Sequence, residues 1–160
     1  MLIKLNGDGG EVLCIGTGNL SARYGKTPTA ETTDGKHPKL SFVVQTDFHR
    51  EKADNEKGHI DKIQLTACEM YCNSFNATQY MTLKSLRTWD KVVFFGKERQ
   101  KTYVVGGELR VESCVLIDAI FFPELDVQKR TGLKGSYKQI RESAKIAPLK
   151  PEGEEDDYLF

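Results

Sequence analysis

Residues 89 to 122 constrain this chain more than any other stretch. WDKVVFFGKERQKTYVV is followed by Gly106-Gly107 and then by ELRVESCVLIDAIFF. Two long runs rich in Val, Ile, Phe and Tyr, separated by two glycines, predict a β-hairpin, because a two-residue turn needs the positive φ that glycine adopts freely. On the first arm Lys97, Arg99, Lys101 and Tyr103 share one parity, while Glu98, Gln100 and Thr102 take the other. Each two-residue step advances roughly 6.5 Å, so three cations and a ring line one ridge. A nucleic-acid strand asks for such a ridge, with cations for its phosphates and a flat face for an unstacked base. The plainer reading is a solvated hairpin edge kept soluble by its charges.

Upstream, three further runs read as strands: EVLCIGTGNL over residues 11–20, KLSFVVQTDF over 39–48 and IDKIQLTAC over 60–68. The third alternates, with Ile63, Leu65 and Ala67 on one side and Lys62, Gln64 and Thr66 on the other, which predicts a half-buried strand whose apolar side faces the core. Residues 73–87 place Phe75, Tyr80, Met81 and Leu83 at roughly helical spacing and put Lys84 and Arg87 in the last turn, so a helix is expected there. Five strands with one helix between the third and fourth is the element order of an all-β OB-fold, a five-stranded Greek-key barrel.

Charge divides the chain unevenly. Residues 1–150 hold all 23 Lys and Arg against 18 acids, and the last ten residues, PEGEEDDYLF, hold the other five acids. A body with a surplus of five positive charges thus carries its own anionic end, an arrangement suited to an anionic target. A chance acidic end kept for solubility is the alternative. Exposed apolar side chains add nothing to a solubilising tail, so the closing Tyr158-Leu159-Phe160 suggests that a partner grips it. Three segments are expected: a barrel domain over 1–123, a basic linker over 124–151 with a short helix around Tyr137, Ile140 and Ala144, and a flexible acidic tip over 152–160.

The remaining chemistry is sparse. Cys14, Cys68, Cys72 and Cys114 sit in apolar runs without a C-x-x-C, and His37, His49 and His59 fall in polar stretches. Buried reduced thiols of a cytoplasmic protein fit this better than a zinc site built from Cys68, Cys72 and the two distant cysteines. The expectation is no metal and no cofactor. No secretion signal opens the chain, so the Asn76-Ala77-Thr78 sequon is disregarded, and no apolar run approaches membrane-spanning length. Paired carboxylates, a Ser-His-Asp set and a phosphate loop are all missing, which argues for binding without catalysis.

Leu86-Arg87-Thr88-Trp89-Asp90-Lys91-Val92-Val93-Phe94-Phe95-Gly96-Lys97 and the hairpin after it resemble the helix end, fourth strand and basic arm of bacterial and phage single-stranded DNA-binding proteins (SSB). Gly18-Asn19-Leu20 is similar to the first-strand signature of that family, Leu40 to Thr46 to its second strand, and Glu154-Glu155-Asp156-Asp157-Tyr158-Leu159-Phe160 to its acidic tip. The resemblance covers about 110 residues of the body and the last seven. Trp89 stands where the family commonly turns on Gly. The 21–38 loop departs from the usual spacing around Arg23 and Tyr24, and the linker, with seven basic residues and three acids, lacks the usual Gly, Gln and Pro richness. A divergent member of phage or mobile-element origin is implied.

The resemblance implies a homotetramer that coats single strands in the nucleoid during replication, recombination and repair, and whose tip recruits enzymes of those processes. Tyr103, Lys97, Arg99 and Lys101 are the first DNA-facing candidates, followed by Lys62 and Arg110. Phe48 resembles a stacking aromatic at the end of the second strand, yet shares parity with Leu40, Phe42 and Val44 and so reads as core unless a bulge intervenes. Trp89 could stack on a base, although sealing the barrel bottom is the stronger reading. The rival function is an OB barrel that binds a protein or RNA partner, its acidic end a mere solubilising tail; a nuclease ranks third.

Overall fold

The computed structural model describes residues 1–22, 27–33, 35–52 and 58–124. Arg23, Tyr24, the linker beyond Glu124 and the whole tip lie outside the described residues. Among the described residues seven strands and one α-helix follow in order: β1 (Leu2–Asn6), β2 (Val12–Leu20), β3 (Thr29–Thr33), β4 (Pro38–Lys52), β5 (His59–Tyr71), α1 (Ala77–Lys84), β6 (Lys91–Val105) and β7 (Glu108–Phe121). They form one sheet in the order β1-β2-β6-β7-β5-β4-β3, and a further pairing of β2 with β4 closes the five long strands into a ring.

The five expected strands and the helix are all present. The short β1 and β3 are additions at the two margins, where burial is slight and no apolar period betrays them: only Thr29 of β3 is buried, and no residue of β1 is. The helix is shorter than the spacing predicted, because residues 73–76 form a separate clasp. Asn73 Oδ1 accepts the backbone N–H groups of Phe75 (2.8 Å) and Asn76 (2.9 Å), while Asn76 Oδ1 accepts that of Asn73 (2.9 Å). Asn side chains that satisfy backbone donors in this way favour a turn over a helical start.

The core follows the two-residue period of the strands. Leu20, Leu40, Phe42, Val44, Cys68, Met70, Val92, Phe94, Val115 and Ile120 fill the barrel, and α1 covers one end with Ala77, Tyr80 and Leu83. The Tyr80 hydroxyl donates to Glu31 (2.8 Å), which Lys84 also reaches (3.0 Å), so helix and β3 are tied together. All four cysteines are free and buried. Burial pushes the Cys68 thiol well up, and burial followed by the nearby Glu31 pushes Cys72 up to about 12.

One expected face is inverted. Thr66, Cys68 and Met70 point inward on β5, leaving Ile63 and Leu65 about half exposed. The ladder decides: Thr66, Cys68 and Met70 lie opposite Val44, Phe42 and Leu40, so the larger apolar set of β4 sets which parity of β5 is buried. The hydroxyls of Thr46 and Thr66 meet at 2.9 Å, which lets Thr66 occupy the interior without an unsatisfied polar group.

Candidate nucleic-acid interface

The outer surface of β4 and β5, flanked by the β6–β7 arm, gathers most of the candidate residues. Ile63, Leu65, Ala67, Glu69 and Tyr71 share the outward parity of β5, opposite Phe48, Gln45, Val43, Ser41 and Lys39 of β4. The arm joins this face through charge. Lys101 contacts the Glu69 carboxylate, and Lys39 lies 3.6 Å from the same oxygen. Two cations therefore share one acid, and a positive surplus remains. Burial, followed by the neighbouring Lys39, lowers the pKa of Lys101, the direction expected when a partly covered ammonium lies beside a second cation.

The remaining ridge residues are held differently. Lys97 pairs with Glu11 at 3.5 Å. Arg99 and Arg110 have no ion pair among the described residues. Tyr103 lies opposite Arg110 on the same face of the hairpin, and its pKa is raised first by desolvation and then by Glu112. Lys62 alternates onto the other side of its arm from Ile63 and pairs with Glu51 at 2.8 Å, so the structure does not bring it to the shared face.

Phe48 is on the surface, 49 % exposed, and the core reading of it is overturned. The ladder slips between Gln45, opposite Leu65, and Asp47, opposite Gln64. Thr46 is the extra residue, and such a bulge reverses the parity of everything after it. Phe48 thus leaves the face of Leu40, Phe42 and Val44 and stands beside Ile63, with the Arg50 guanidinium 5.9 Å from its ring centre.

Trp89 is likewise no seal of the barrel bottom: it is 62 % exposed and adopts φ +75°. Its backbone carries the structural task. The Trp89 N–H donates to the Leu20 carbonyl (2.9 Å), and the Asn19 amide donates to the Trp89 carbonyl (2.7 Å). Those bonds hold a tight left-handed turn that glycine would enter at lower cost. The indole is left outside, at the opposite end of β6 from Tyr103.

Lys39, Glu69 and Tyr71 were missed in the sequence. Lys39 could have been found, since it occupies the outward parity of the second run. Tyr71 lies beyond the end expected for the third strand, and Glu69 gains its meaning only from the cations that two other strands bring to it.

A closed ring of five long strands, with a helix between the third and fourth and two extended hairpins flanking one outer face, defines an OB-type barrel. No family model and no curated protein matches the chain. Among solved structures, the Plasmodium falciparum SSB in complex with ssDNA matches at a TM-score of 0.51 and 10 % identity, covering 70 % of this chain and 94 % of that one. The small single-stranded DNA-binding protein from Streptomyces coelicolor matches at a TM-score of 0.47 and 19 % identity, over 72 % and 96 % of the two chains. At 10 % identity the likeness to the Plasmodium protein is one of backbone path. Among the described residues no helix is long and apolar enough to cross a membrane.

Proposed function

We propose that this chain is a divergent single-stranded DNA-binding protein that coats exposed strands in the nucleoid without strong sequence preference and performs no chemistry on them. The observation that carries this reading is the cluster of Lys39, Lys101, Glu69 and Tyr71, from which Lys97, Arg99 and Tyr103 continue along one parity of β6 while Phe48 stands exposed on the outward side of β4. Cations track phosphates while rings take unstacked bases, at about 1 to 3 kcal/mol per stacked base, a range that already includes SSB-type barrels. The fold shared with a barrel solved together with ssDNA supports the same reading.

Titration with oligo-dT tests it. Tyr71 and Tyr103 belong to the face, so tyrosine fluorescence should be quenched as bases stack. A flat signal with no binding sinks the proposal and favours the protein- or RNA-binding module.

The acidic tip is proposed as the recruiting segment for replication, recombination and repair enzymes, with a basic cleft of the partner taking Glu154 to Asp157 and a pocket taking Phe160. Phe160→Ala keeps every charge, so it should spare DNA binding and cost about 2 kcal/mol or more of partner affinity. Equal recovery of the same proteins by wild type, Phe160→Ala and a chain lacking residues 152–160 would reduce the tip to a solubilising end.

A further inference from the structure

β5 and β7 run side by side for only two pairs, Cys68 with Val115 and Glu69 with Leu116. Beyond them β7 bulges, since Gly96 lies opposite Ile117 and Phe95 opposite Ala119, with Asp118 left over. The strands part, and a groove of about 270 Å³ opens between Tyr71 and Phe75 on one wall and Leu116 to Phe121 on the other.

Two observations give this groove a use. Phe75 is 70 % exposed, yet its backbone is fixed by the Asn73–Asn76 clasp, whose Asn76 amide also donates to the Tyr71 carbonyl at 2.7 Å. Phe75 therefore sits on a braced loop tied to Tyr71 at the end of β5, so the backbone that carries both rings is fixed before any ligand arrives. The mouth is also continuous with the candidate interface. Lys39 stands 5.8 Å from the centre of the Tyr71 ring, and Leu116 lies between Lys97 and Glu69 in one row across the sheet.

We infer that the groove is a subsite for one unstacked nucleobase at the end of the bound strand, an inference that rests on the single-stranded DNA reading above. The base enters beside Tyr71 and Phe75, and its phosphate stays at the mouth next to Lys39. Asp118 also lines the groove, and its carboxylate repels a phosphate placed within it, which favours that orientation. The strand thus gains one stacked base beyond the ridge of Lys97, Arg99 and Lys101.

Full-length wild type and Phe75→Ala titrated with oligo-dT of increasing length separate the possibilities. The shortest oligomers that bind wild type should bind the variant equally. Longer ones should lose about five-fold or more, the low end for one removed stacking ring. Equal affinity at every length overturns the subsite, as does a uniform loss at all lengths, which would put Phe75 on the main path. Wild type that binds no oligomer overturns the DNA reading and the subsite with it. A second variant, Phe75→Trp combined with Trp89→Phe, puts the one indole in the groove; its fluorescence should fall with long oligomers only, and a signal unchanged by bound long oligomers also overturns the subsite.

Discussion

Arg99 and Lys101 are two residues apart on one face of β6, yet their charges are engaged differently. Lys101 already rests on Glu69, so a phosphate that takes its place leaves a carboxylate to be resolvated and displaces fewer counterions. Arg99 has no such acid among the described residues. Arg99→Ala should therefore reduce the log–log salt dependence of oligo-dT binding by about 0.7, the value for one lost phosphate contact on a single strand, and Lys101→Ala should reduce it by less. Salt titrations of the two variants check this; a wild-type slope for Arg99→Ala takes Arg99 off the path. The stripe itself was legible from parity along β6. Its pairings were not, because Glu11 comes from the turn before β2 and Glu69 from β5, and only the folded sheet sets them beside the cations.

At the scale of elements, Gly18-Asn19-Leu20 explains how the barrel shuts. A Cβ on Gly18 would stand 2.0 Å from the Gln45 carbonyl oxygen, at the seam where Asn19 and Leu20 pair with Gln45 and Val44. Asn19 then fixes the turn at Trp89, and Leu20 is completely buried. The motif that resembles a family signature thus acts as a closure device. Gly18→Ala should destabilise the fold by roughly 1 to 3 kcal/mol, the usual cost of overfilling a packed site. Urea unfolding measures it; an unchanged midpoint would mean that β2 and β4 need no such close approach. The same seam explains what strand patterns could not reveal: the bulge at Thr46 lies beside it, and one extra residue moves Phe48 from an expected core position to the surface.

At the scale of the whole molecule, the outer surface has two characters. The cationic face lies over β4, β5 and the arm. Around the barrel, Ile3 and Leu5 of β1, Leu13 and Ile15 of β2, Phe95 of β6 and Phe121 of β7 form an apolar stretch that adjoins the ridge where Leu13 lies opposite Lys97, and the rings of Phe95 and Phe121 meet edge to face at 6.0 Å. Apolar side chains grouped like this on a sheet mark an association surface. We expect it to build the homotetramer that the sequence resemblance implies. Phe95→Asp should then yield smaller species in light scattering at micromolar concentration while oligo-dT still binds each barrel, and a monomeric wild type would overturn the assembly.

The sequence by itself determined the all-β class, the five long strands, the helix between the third and fourth, the double-glycine hairpin and the cationic ridge. All of these are local: a period of two, a turn dipeptide or a parity can be read along one segment without knowing its neighbours. Tertiary structure decided which side of β5 is buried, where Phe48 and Trp89 point, which acids hold Lys97 and Lys101, and that Lys39, Glu69 and Tyr71 belong to the same face. These depend on register between strands distant in sequence, and a one-residue slip such as the bulge at Thr46 exchanges inside for outside. Periodicity within a strand carries no record of its partner's register, so the barrel had to close before the face could be seen.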